Sequence, residues 1–155
     1  GWHEPHMRLE AEACTSLGIT LHTLHGFGSR ELPSREALNQ AKALFEQLHY
    51  PTLFHCKSGA DRAGLVSVLF LHWHEGLPLT QALQQLRLFP FGHIRHANTG
   101  ILDHFFDSYL VYQQAHPDCD LLTWINQVYD PQTLARSFKP WYSLSWVVDK
   151  LLRRE

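Results

Sequence analysis

Cys56 and Arg62 stand six positions apart in the run His55-Cys56-Lys57-Ser58-Gly59-Ala60-Asp61-Arg62-Ala63-Gly64. A thiolate is the nucleophilic form of a cysteine, and a planar guanidinium fork holds two phosphate oxygens at once. The flanking residues say how the two are positioned. Thr52-Leu53-Phe54 reads as the end of a short buried strand, and residues 63–73 (AGLVSVLFLHW) read as a buried helix closed by Gly76. A strand-to-helix turn aims unpaired backbone N–H groups and the positive end of the helix dipole into the loop. The sequence therefore describes an anion cradle with a nucleophile at its floor.

This run resembles the Cys-x5-Arg signature of the cysteine-dependent phosphatases, the protein tyrosine and dual-specificity enzymes, here of a bacterial dual-specificity-like kind. The histidine before the cysteine, the glycine inside the loop, the strand before it and the helix after it all strengthen the likeness. A second segment, Ile94 to Phe106 (IRHANTGILDHFF), resembles the Asn-x-Gly stretch of dual-specificity phosphatases, in which the asparagine opens a helix and braces the catalytic loop. Asn98 and Gly100 take those places. The resemblance spans roughly residues 19–110. It implies a phosphocysteine mechanism in which Cys56 attacks phosphorus and Arg62 clamps the phosphoryl oxygens. Lys57, Ser58, Gly59 and Ala60 would lend backbone N–H groups to the substrate, and Asn98 would brace them.

The chain departs from that pattern twice. Ala63 stands where the family commonly has Ser or Thr to help stabilise the departing thiolate, which leaves Ser58 as a donor. The acid that protonates the leaving oxygen is also displaced, because no Asp precedes Asp61. An Asp just before the signature arginine also occurs in certain lipid phosphatases of this superfamily, so the resemblance makes Asp61 the candidate acid. Glu31 and His25 on the upstream loop are the alternatives. Asp61 could equally pair with Arg62 or cap the following helix. Lys57 adds a second cation, as in phosphoinositide phosphatases, and would favour a highly anionic substrate.

Composition narrows the classes. The 155 residues, 45% of them hydrophobic and 18% charged, suit a globular domain with a proper core. A net charge of −2 argues against non-specific nucleic-acid binding. The three cysteines, Cys14, Cys56 and Cys119, suggest no disulfide framework and point to a reducing, cytoplasmic setting. No apolar stretch approaches the ~20 residues of a membrane helix. Twelve histidines are many, but no four-ligand set has zinc spacing, and His93 and His96 are the one pair placed to share a ligand. Neither a metal nor a cofactor is expected.

Helices are expected at residues 4–17, 34–48, 79–88, 98–114, 121–129, 132–138 and 142–154, besides 63–73. Strands are expected at 19–24 and 52–54, and residues 25–33 (HGFGSRELP) read as a flexible loop. The predicted fold class is α/β, a small parallel sheet flanked by helices. Two strands make a poor sheet, and the phosphatases have at least two more upstream, so the expectation is a domain whose first strands precede this sequence. Residues 1–115 would form the catalytic domain and 116–155 a helical C-terminal extension packed on it. The last helix, aromatic at one end and basic at the other, is a candidate for peripheral membrane contact. The reading that results is a phosphatase acting on a phosphorylated protein or phospholipid. Its rival is a non-catalytic phosphate-binding pseudophosphatase.

Overall fold

A computed structural model describes residues 4–95 and 97–140 of the chain. Its central element is the helix α3, Asp61–Trp73, whose Ala63, Gly64, Leu65, Val66, Val68 and Leu69 are buried. Before it lie α1, Glu4–Leu17, and α2, Arg35–Phe45; after it come α4, Leu79–Ala82, and a single 3-10 turn, Leu83–Gln85. A second 3-10 turn, Asn98–Gly100, leads into α5, Ile101–Ala115, which is followed by α6, Leu121–Gln127, and α7, Pro131–Ser137.

The boundaries follow from local chemistry. Ser34 caps α2, its hydroxyl accepting from the Ala37 N–H, and the Asp120 and Asp130 carboxylates cap α6 and α7 in the same way. Gly76, at φ +70°, turns the chain after α3, and the Leu77 N–H returns to the Leu71 carbonyl at 2.9 Å. Gly64 lets α3 lie directly on the 3-10 turn after α4. A Cβ there would sit 3.0 Å from Leu86 Cδ2 and 3.1 Å from the Gln85 carbonyl oxygen.

One hydrophobic core joins α2, α3, α5 and α6. Phe105 of α5 packs edge-on against Trp124 and Tyr129, with ring centroids 5.5 and 5.0 Å apart. Arg35 ties the start of α2 to this end of the core, its Nε donating to the Tyr129 carbonyl at 2.6 Å. Tyr129 completes the tie by donating its hydroxyl to the Pro33 carbonyl at 2.8 Å. The α6–α7 region is thus packed on the same core as α3 and α5.

The expected parallel sheet does not form: among the described residues the chain is helical, with no strand. Residues 19–24 and 52–54 carry no regular secondary structure and join no ladder. A strand is stabilised by neighbours that pair its N–H and C=O groups and cover one face. Neither condition is met, since Ile19, Leu21 and Leu53 remain exposed. Alternation of apolar residues at 19–24 carried no information about a pairing partner. The expected helix at 79–88 is likewise cut short, ending as α helix at Ala82 and as a 3-10 turn at Gln85. The expected helix at 142–154, with its proposed membrane contact, lies outside the described residues.

Candidate active site

Cys56 is placed by Phe54. Thr52, Phe54 and Cys56 are half-buried while Leu53 and His55 face solvent, the period of two that extended backbone imposes. The Phe54 ring lies 5.9 Å from Phe45 of α2 and 5.2 Å from Phe70 of α3, centroid to centroid, and so fixes the chain two residues ahead of the sulfur. On the solvent side His55 Nε2 meets Glu10 Oε1 of α1 at 2.6 Å.

The chain then bends through residues 57–60 and enters α3 at Asp61. Gly59 makes the bend with φ +71°, a left-handed conformation that favours glycine. Ala60 occupies the N-cap position and no side chain caps α3 there, so the helix presents its first N–H groups to the loop. Arg62 stands in the first turn. The residue is half-buried, and its guanidinium forms no hydrogen bond or ion pair with any described residue. An uncapped helix start, an arginine without such a partner and a cysteine at the end of an anchored segment therefore meet in one loop.

Asp61 points elsewhere. It is 4% exposed, and His93 Nδ1 lies 2.8 Å from its Oδ1. The other ring nitrogen, Nε2, lies 2.6 Å from Oδ2 of Asp103 on α5. His93 itself is 1% exposed. Burial pushes an imidazole toward neutrality, yet hydrogen bonds to Asp103 and then Asp61 outweigh it and raise the His93 pKa from 6.5 to about 9. His93 is thus an imidazolium donating through both nitrogens. Arg95 extends the chain of charges outward, 4.0 Å from Asp103 and paired with Asp107.

Comparison with known proteins now bears on this loop. A tyrosine phosphatase family model matches residues 23–75, about a third of the chain. No curated protein and no solved structure matches the chain. The match supports phosphatase activity and a phosphorylated substrate.

The matched segment, residues 23–75, holds Cys56, Lys57, Ser58, Gly59, Ala60, Asp61 and Arg62, and also the His25 and Glu31 loop. The structure gathers the first seven into the bend and the first turn of α3. His25 and Glu31 are exposed and share no hydrogen bond or ion pair with that bend among the described residues. Asn98 lies beyond the segment, in the first position of its 3-10 turn, and its side chain makes no hydrogen bond to a described residue. The close approach in that region belongs to Gly100, where a Cβ would collide with the Arg95 carbonyl oxygen.

Two clefts, of about 370 and 430 Å³, flank the Arg95–Asp107 pair, and Cys56 and Arg62 line neither. The cysteine loop is an open cradle instead, with Lys57, Ser58 and Gly59 exposed. Sequence reasoning missed His93 and Asp103. His93 does not share a ligand with another histidine, because both of its nitrogens face carboxylates. The available signal was Asp103, a carboxylate set among Ile101, Leu102, Phe105 and Phe106 on the apolar face of α5, which demands a buried partner.

Proposed function

We propose that the chain is a phosphomonoester hydrolase that works through a phosphocysteine. The observation that carries this reading is the loop itself: Cys56 and Arg62 frame a bend at the uncapped start of α3, within the matched family segment. The Cys56 thiolate attacks phosphorus; the Sγ–P bond forms as the ester P–O bond breaks. Arg62 and the N–H groups of residues 57–62 hold the equatorial oxygens as charge develops on them. The leaving oxygen takes a proton from an acid. Water then attacks phosphorus and gives a proton back to the conjugate base of that acid, the Sγ–P bond breaks to regenerate the thiolate, and inorganic phosphate leaves. The substrate is a phosphate monoester on a protein hydroxyl or a lipid headgroup.

The acid need not be Asp61. Its carboxylate is buried and engaged by His93, which favours a positioning role and leaves Glu31 and His25 as acids on the upstream loop. A leaving-group series separates these: the variant that loses the acid slows alkyl phosphates far more than p-nitrophenyl phosphate. We expect that behaviour from Glu31→Gln or His25→Gln, and finding it in Asp61→Asn alone would return the role to Asp61.

The phosphocysteine is tested by acid-quenching the full chain during turnover and locating the phosphoryl group by mass spectrometry. The expected result is one phosphoryl group on the peptide containing Cys56. Turnover with no such adduct, or with an adduct on another residue, contradicts the mechanism. Oxyanion binding without any phosphate release would favour the pseudophosphatase.

A further inference from the structure

We propose that His93 is a positioning residue for the phosphate loop, holding the first residue of α3 to α5 through Asp61 and Asp103. The proposal rests on the reading of the Cys56–Arg62 loop as the phosphate site. Its basis is geometric. Asp61 is where the loop becomes helix, and Arg62 is its neighbour. Three side chains, each less than a tenth exposed, form a continuous chain from there to α5: Asp61, His93 and Asp103, joined at 2.8 and 2.6 Å.

Ala60 supplies no side-chain cap to α3, and the buried Asp61 carboxylate meets His93. The segment carrying His93 is itself fixed: its N–H reaches the Arg87 carbonyl at 3.1 Å, and Thr99 Oγ1 donates to the Ile94 carbonyl at 2.9 Å. His93 therefore connects the loop-to-helix junction to α5. Tightly held geometry of this kind matters because a displacement of about 1 Å at a reacting centre can cost ~10²-fold in rate.

A buried cation between two carboxylates would also stabilise the fold without touching catalysis, so the test must read the loop. The charged groups around His93 are Asp61 on α3, Asp103 and Asp107 on α5, and Arg95 and Arg87 in the connecting segment. Removing Asp103's charge weakens the hold on the His93 proton and leaves the phosphate loop's sequence untouched.

The experiment measures tungstate affinity against pH on the full chain carrying Cys56→Ser, which removes thiol ionisation from the titration. A second set of measurements follows p-nitrophenyl phosphate hydrolysis on chains that retain Cys56. The affinity of the chain with Asp103 intact should hold at neutral pH and fall as His93 loses its proton near pH 9. Adding Asp103→Asn should move that fall down by about 1–2 pH units. In the hydrolysis assay kcat/KM should follow the same shift, and His93→Gln should lose about tenfold or more at pH 7.

A folded Asp103→Asn chain with unaltered tungstate affinity and an unmoved alkaline limb overturns the proposal and leaves the phosphatase reading standing. If His93→Gln fails to fold, the alkaline limb of the chain with an intact triad still decides, because its absence overturns the proposal. A parental chain that neither binds tungstate nor releases phosphate overturns the reading of the site and, with it, this proposal.

Discussion

Raising the pH should unlock the His93 clamp and lower the stability of the whole chain. His93 is raised from 6.5 to about 9 in the folded protein, against an ordinary imidazole in the unfolded one. A histidine whose folded pKa is raised contributes stability that is fully present below its unfolded pKa. That contribution is lost as pH climbs through the folded value. The window is therefore pH 6.5 to 9. The shift of about 2.5 units, at 1.36 kcal/mol each, corresponds to about 3 kcal/mol. Against a stability of about 5–15 kcal/mol that is a large fraction. With a urea m-value of about 2 kcal/mol/M, the unfolding midpoint should drop by about 1.5 M between pH 6.5 and 9.5. Tryptophan fluorescence in urea reads this directly, and His93→Gln serves as the reference that cancels other titrations. Burial pushes the Tyr129 hydroxyl upward, so its contribution persists to pH values above this window. A stability difference between parental and His93→Gln chains that is the same at pH 6.5 and 9.5 would refute the reasoning.

Arg62→Lys keeps the charge but loses the two-pronged grip, so the variant should fold normally and lose at least tenfold in kcat/KM on p-nitrophenyl phosphate. Gly100→Ala must displace the Arg95 carbonyl, since the new carbon would collide with its oxygen; urea unfolding should show a loss of about 3–5 kcal/mol. Tyr129→Phe removes the hydroxyl that satisfies the Pro33 carbonyl and should cost about 1–2 kcal/mol in the same assay, with phosphate release unchanged.

The local parts of the site were legible because they are set by neighbouring residues. Gly59 permits the bend, the apolar run after Arg62 makes α3, and Gly76 closes it. Helix α1 was likewise readable from residues 4–17, and Ser34 marked the start of the helix it caps. What failed depends on distant partners. Residues 19–24 carry a strand's alternation, but pairing is a property of two segments, and none meets them among the described residues. The Asp61–His93–Asp103 chain escaped for the same reason. Its members are 32 and 10 positions apart, and each has an ordinary local explanation as helix cap, turn residue or solvated carboxylate. The unusual feature, a carboxylate on the buried face of α5, was visible at Asp103 but named no partner.

The central claim is that Cys56 is the nucleophile of a phosphate-binding loop. The most direct measurement pairs phosphate release from p-nitrophenyl phosphate with tungstate binding, in the full chain and in Cys56→Ser. The serine variant removes the thiolate and keeps the cradle of Arg62 and backbone N–H groups. The account predicts release by the parental chain, loss of release in Cys56→Ser, and retained tungstate binding in both. Release by Cys56→Ser at the parental rate would contradict it.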